Sequence, residues 1–231
     1  MTSSSFSINN TSVQAFSLKN PLPYEDYVRF QEKSRENRRE SILFLEHPLT
    51  ITGGINYNID NLLRNEDFLS EHGISLQYIK RGGDYTAHEP GQIVTYIHLD
   101  LKNREISISE FLDQVLESAI YSTKKVWDLD LVKNPNAPGL YLSTSPNRKI
   151  LSMGVLFKSW FTSYGIAINV SNDFSAFQCI HPCGQDWKSM ISISQLGLSS
   201  GKDKKKEWIQ AFQSKFLENL KPIRDKISTE N

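Results

Sequence analysis

Residues 139–170 read GLYLSTSPNRKILSMGVLFKSWFTSYGIAINV, from Gly139 to Val170. Three β-like runs, 139–143, 149–157 and 165–170, follow one another with only Pro-, Asn- and Ser-containing turns between them. A parallel crossover needs a dozen or more residues, usually a helix, so runs this close predict antiparallel hairpins and exclude repeated βαβ units.

The pattern changes on either side. Upstream, Phe111, Leu112, Val115, Leu116, Ala119, Ile120, Val126 and Trp127 form one stripe at 3.6-residue spacing, opened by a capping box from Ser107 to Glu110; this predicts a long helix from Ser109. Further back, 74–80 and 92–101 alternate apolar and polar residues, predicting strands with one buried face each, and SILFLE at 41–46 predicts a buried strand running into a loop at Gly53 and Gly54. Tyr24, Tyr27, Val28 and Gln31 predict a first helix over 24–39. Downstream of a basic loop at 202–206, Trp208, Phe212, Phe216 and Leu220 mark a closing amphipathic helix. Residues 1–12, rich in Ser, Asn and Thr, read as a flexible N-terminal segment, and 13–231 as one α/β (α+β) domain.

Composition narrows the function. Twenty-six Lys+Arg balance 26 Asp+Glu, so no large field of one sign attracts nucleic acid or an anionic membrane, and neither is expected as a partner. No run approaches the roughly 18 apolar residues of a membrane span, and the start lacks the regions of a signal peptide, so the expected compartment is the cytoplasm. Cys179 and Cys183, four positions apart, suit neither a disulfide framework nor two zinc half-sites, which leaves a free thiol.

Three segments carry candidate chemistry. Arg81 to Gln92, RGGDYTAHEPGQ, lies between two strands; its glycines allow a ligand against the main chain, and Arg81 and His88 supply donors, although a plain Gly/Pro hairpin turn has the same composition. Lys149 opens a strand interrupted by Gly154, as either a solvated edge lysine or a charge held beside a nucleophile. In His181-Pro182-Cys183-Gly184 a proline stiffens the chain and a glycine leaves space around a thiol, whereas Cys179, in an aromatic run, reads as a small buried hydrophobe. Together they describe an acyl transferase. An ammonium at Lys149 would favour the thiolate of Cys183, an apolar tunnel past residues 154 and 165–167 would exclude water, and His88 or a backbone pair would stabilise the oxyanion.

These motifs resemble the lipoyl(octanoyl) transferase family: RGG-x-x-T-x-HGPGQ at Arg81 to Gln92, Lys-Ile-x-x-x-Gly at Lys149 to Gly154, HG-x-A-x-N-V at Tyr164 to Val170, and PCG at Pro182 to Gly184. Glu46, His47, Pro48, Thr52 and Gly53 resemble the family's first loop, so the similarity runs from about 24 to about 196. The resemblance implies a mixed, largely antiparallel sheet flanked by helices, like the catalytic domain of biotin and lipoate protein ligases. It implies octanoyl transfer from acyl carrier protein to a lysine of a lipoyl domain, in a 2-oxoacid dehydrogenase complex or the glycine cleavage H protein, without metal, nucleotide or other cofactor. By the same carry-over Cys183 bears the acyl thioester and Lys149 is its acid and base. Arg81, Gly82, Gly83, Asp84, Tyr85, Thr86, Ala87, His88, Ser152, Met153, Gly154, Gly165, Ile166 and Ala167 would contact the substrate.

Two positions depart from the family: Glu89 stands for glycine and Tyr164 for histidine. A carboxylate beside His88 is expected to raise that histidine's pKa, and the tyrosine loses the base function of an imidazole. Two other readings stand beside transfer: an ATP-dependent lipoate or biotin ligase sharing the fold, and a catalytically impaired homologue that binds carrier or lipoyl domains.

Overall fold

The computed structural model describes residues 2–4, 13–135 and 137–220, with the backbone alone at 2–4 and 146. Most of the segment 1–12 expected to be flexible lies outside this set. In chain order the elements are β1 (Thr2–Ser4), β2 (Gln14–Ser17), α1 (Tyr24–Glu36), β3 (Ser41–Leu45), β4 (Thr50–Gly53), α2 (Glu66–Glu71), β5 (Ser75–Tyr78), β6 (Tyr85–His88), β7 (Gln92–His98), α3 (Ile108–Trp127), β8 (Leu131–Lys133), β9 (Gly139–Leu142), β10 (Ser145–Lys158), β11 (Phe161–Asn169) and α4 (Lys202–Glu218). An eight-stranded sheet runs β1-β2-β3-β7-β11-β10-β9-β8, and a three-stranded sheet β5-β4-β6 lies apart from it. Among the described residues only the β2–β3 and β4–β5 strand pairs are parallel, so the fold is mixed and largely antiparallel.

The hairpin predicted from 139–170 is the centre of the large sheet. Ser159 (φ 52°) and Trp160 (φ 62°) join β10 to β11, and two positive φ values in succession give the twist that antiparallel strands need across a two-residue turn. One face of the sheet is covered by α3 and α4, where Trp208, Phe212 and Phe216 stack in sequence and are fully buried. Each such side chain contributes about 1.5–3 kcal/mol through burial. The other face receives Tyr24 and Tyr27 of α1 against Leu43, Val94, Tyr96 and Tyr164. The capping box of α3 is formed: Glu110 N–H donates to Ser107 Oγ (3.2 Å), and Ser107 N–H to the Glu110 carboxylate (2.8 Å).

Several expectations shift. Helix α1 ends at Glu36, because Arg38 turns into a left-handed conformation (φ 48°). Strand β7 is buried on both faces, since helices cover the sheet from either side; its polar Thr95 and His98 are interior rather than solvated. Strand β5, expected to have one buried face, is an edge strand without a fully buried residue. The basic run 202–206 is the first turn of α4 instead of a loop, and Lys205 pairs with Glu46 (2.7 Å). The supposed loops at Gly53 and 81–92 contain β4 and β6, which pair with each other.

Gly165 faces Gly154 across the hairpin, and a Cβ at 165 would lie 2.2 Å from the Thr95 carbonyl oxygen of β7. Gly165→Ala is therefore expected to destabilise the protein by about 1–3 kcal/mol, as overpacking does. Calorimetry settles it: an unchanged melting temperature would mean that β7 and β11 can separate at no cost.

Candidate active site

Where the β10–β11 hairpin meets β6 and the Pro182–Gly184 turn, a cavity of about 290 Å³ opens. A missing side chain helps to keep it open: a Cβ at Gly154, in its wall, would stand 3.1 Å from Arg81 Cδ. Most of its wall is apolar, with Met153, Val155, Phe157 and Ile166 contributed by the hairpin and Leu112 by α3.

Cys183 and Lys149 both line this cavity, 34 positions apart in sequence. Cys183 has φ 54° and ψ 38°, a conformation disfavoured for a side chain with a Cβ, and its thiol is free and exposed. The strain is held from both sides. Leu62 and Ile180 form an antiparallel bridge, His181 N–H donates to Asn61 O (2.8 Å), Leu63 N–H donates to Cys179 O (2.8 Å), and Gly184 N–H closes the turn on His181 O. Cys179 is buried, as expected of a structural thiol.

Lys149 sits where β10 slips register against β9, between irregularities on either side. Its ammonium donates to Pro138 O (3.2 Å) and lies 5.2 Å from the Tyr141 ring centroid. Among the described residues no carboxylate lies within ion-pair distance of it, so a buried cation at the cavity wall keeps its charge for what enters.

Arg81 is the second buried cation. Nη2 donates to Thr52 O (2.7 Å) and Thr52 Oγ1 (2.8 Å), and Nη1 to Gly82 O (3.0 Å), whereas the buried Nε has no hydrogen-bond partner. Burial lowers its pKa, opposed by Tyr24 and by Cys183, which ties the guanidinium electrostatically to the thiol. An unmet buried donor costs about 1–3 kcal/mol.

His88 is fixed in one tautomer by its neighbour. Gln92 Nε2 donates to Asn169 Oδ1 (2.9 Å) and Ala87 O (3.3 Å), so Gln92 Oε1 is the atom facing His88 Nδ1 (3.3 Å), and Nδ1 must carry the proton. Nε2 is then an acceptor, and of the two expected oxyanion donors, His88 or a backbone pair, the backbone pair fits this tautomer better. The expectation that Glu89 raises the pKa of His88 fails on geometry. Burial, His47 and Arg81 push His88 well below its ordinary value, while the Glu89 carboxylate points away, into the turn at 172–177. Tyr164, in the family's histidine position, adopts φ 63°; its N–H donates to Tyr27 Oη (2.9 Å) and its hydroxyl accepts from Gln31 Nε2 (3.0 Å). Burial raises its pKa, so it stays a neutral phenol.

Of the residues expected around the substrate, Arg81, Gly82, Gly83, Tyr85, Thr86, His88, Ser152, Met153, Gly154, Gly165, Ile166 and Ala167 line the cavity. Two do not. Asp84 accepts from Asn58 N–H (2.9 Å) and Asn61 Nδ2 (2.5 Å), bracing the loop beside the thiol turn, and Ala87 is packed in the core of the small sheet. Sequence reading missed Tyr24 and Tyr96, which line the cavity, and Thr52, Gln92 and Pro138 in their roles as partners of Arg81, His88 and Lys149. Tyr24 and Tyr96 give only a helix-face and a strand signal. Among the described residues no group of three His, Cys, Asp or Glu is arranged to hold a metal ion.

Burial of neutral imidazoles has a consequence for acid stability. His47 and His98 are held near pKa 4 by burial, from an ordinary 6.5. Between those values the unfolded chain binds protons that the folded protein refuses, so stability is complete above pH 6.5 and falls as pH drops toward 4. His88 acts in the same direction; Glu89, raised by burial, acts in the other. The melting temperature is expected to fall steadily across this window, and a flat profile would contradict neutral burial of the three rings.

The comparisons with known proteins place the chain in a family. The model of the lipoyl protein ligase A/B catalytic domain matches residues 19–217. An octanoyltransferase of Leptospira interrogans is 50% identical over 206 residues, which cover 89% of this chain and 95% of that one. Among solved structures, protein Ta0514 of Thermoplasma acidophilum with bound lipoic acid superposes with a TM-score of 0.69 at 12% identity, covering 87% of this chain and 83% of that one. Lipoate-protein ligase A bound with ATP gives 0.66 at 14%, covering 91% and 88%. At those identities the structures speak for the fold alone. With a family model spanning most of its length and a half-identical relative, the chain belongs to the lipoyl protein ligase A/B catalytic domain family.

Proposed function

We propose that this chain moves an octanoyl group from acyl carrier protein to a lysine of a lipoyl domain, through a thioester on Cys183. One observation carries the reading: a strained, exposed thiol and a buried ammonium with no carboxylate in reach among the described residues share one apolar cavity. The thiolate attacks the donor thioester, a C–S bond forms, and the departing carrier thiol takes its proton from Lys149. The acceptor lysine then attacks the acyl-enzyme, its proton returns to Lys149, and Cys183 leaves as thiolate. Main-chain amides near the thiol would hold the oxyanion in both tetrahedral intermediates. The acceptors fitting this reading are lipoyl domains of 2-oxoacid dehydrogenase complexes or the glycine cleavage H protein, and the setting is the cytoplasm. No helix among the described residues is long and apolar enough to cross a membrane.

A ligase of the same fold would need ATP and free acid. The apolar wall of the cavity, about 290 Å³, suits a medium-length acyl chain. Incubation of the protein with octanoyl carrier protein and a lipoyl domain, without nucleotide, is expected to give octanoyl-lysine on the domain. Product only from free octanoate plus ATP would replace transfer with ligation.

A further inference from the structure

Glu89 follows His88 yet does not line the cavity; it is fully buried behind it. Its carboxylate is met by four donors from one short stretch of chain. Asn172 Nδ2 (3.0 Å) and Phe174 N–H (2.9 Å) donate to Oε2, and Ala176 N–H (2.6 Å) and Phe177 N–H (3.1 Å) to Oε1. Three main-chain amides of one turn, at 174, 176 and 177, thus converge on the carboxylate while Ser175 N–H goes to Asp173 Oδ1, and charge-assisted bonds of this kind are stronger than neutral ones. A second fastening lies beside it. Gly91 (φ 103°) comes so close that a Cβ would stand 2.5 Å from Asn172 N, and Ser171 N–H donates to Gly91 O (3.1 Å). From Phe177 the chain makes a 3₁₀ turn to Cys179, bridges Leu62 at Ile180 and arrives at Cys183.

We propose that Glu89 is a positioning residue for the thiol: its carboxylate anchors the segment that delivers Cys183 to the cavity, tying it to the strand end that carries His88. The proposal rests on Cys183 being the nucleophile. It also accounts for a side chain where the resemblance leads one to expect glycine: the space behind His88 is filled by a bridge rather than left as bare backbone.

The test compares wild type with Glu89→Gly and Glu89→Gln, following amide exchange along the chain together with kcat and KM for octanoyl transfer. In Glu89→Gly, exchange is expected to rise across 174–184 while β7 and β11 keep wild-type protection. There kcat should fall about 10²-fold at unchanged KM, the effect of a misplacement near 1 Å. Glu89→Gln, which keeps the shape and one carbonyl oxygen, should recover part of kcat. Wild-type kcat in Glu89→Gly, unchanged exchange at 174–184, or a loss of protection spread over the whole sheet with no rescue by glutamine would each overturn the proposal. Wild type that never acquires octanoyl on Cys183 would instead refute the transfer reading, and would do so before any variant is compared.

Discussion

Replacing Cys183 with alanine is expected to abolish octanoyl transfer, with a loss on the order of 10⁶-fold, the scale seen when an acyl-transfer enzyme loses its nucleophile. The fold should be indifferent. The side chain is exposed, alanine faces the same left-handed backbone, and surface changes of this sort stay within about 0.5 kcal/mol. Cys179→Ala makes the reciprocal control. Its thiol is buried against Ser175 O (3.7 Å) in the core of the small sheet, so its loss should lower the melting temperature and leave transfer intact. A Cys183→Ala protein that still transfers would assign the chemistry to another group.

Lys149→Ala is the second large effect. General acid–base catalysis contributes about 10²–10⁴-fold, and kcat should fall by that amount, because each half-reaction passes a proton through this ammonium. KM should move less, since the apolar wall that would hold an acyl chain is built by other residues, among them Met153, Val155, Phe157 and Ile166. Some stability is lost with the contact to the Tyr141 ring, worth about 0.5–1 kcal/mol or more when desolvated. Lys149→Met, which keeps the stem without the charge, separates the two effects: it should be as inactive as alanine but more stable. Circular dichroism showing an unfolded Lys149→Met would make the lysine structural.

What could be read in the sequence follows from how local each signal is. The stripe from Phe111 to Trp127 and its capping box are patterns within one element; in α3 the stripe lies in or against the core, with Ser118, Ser122 and Thr123 buried beside it. The β10–β11 hairpin was legible because the spacing between the runs left room for nothing else. Strand β7 misleads for the opposite reason: Thr95 and His98 look like a solvated face, and only helices on both sides of the sheet make them interior. Likewise β4 and β6 are short and lie beside glycines, and their pairing with one another, and of β4 with β5, is what makes them strands. In the site, the residues of the motifs lie around one cavity, but their partners come from far along the chain. Thr52 for Arg81 and Pro138 for Lys149 are set by tertiary contact, and nothing near them in sequence announces it. Glu89 shows the limit best. Proximity in sequence put its charge on His88, whereas the backbone turns it toward amides as far along as residue 177.

The most direct test is a single-turnover quench of wild type with octanoyl carrier protein, in the absence of acceptor and nucleotide, followed by intact mass and peptide mapping. One octanoyl group should appear, on the peptide containing Cys183 and as a thioester released by hydroxylamine. A protein that remains unmodified, or carries the group on Cys179, would contradict the account.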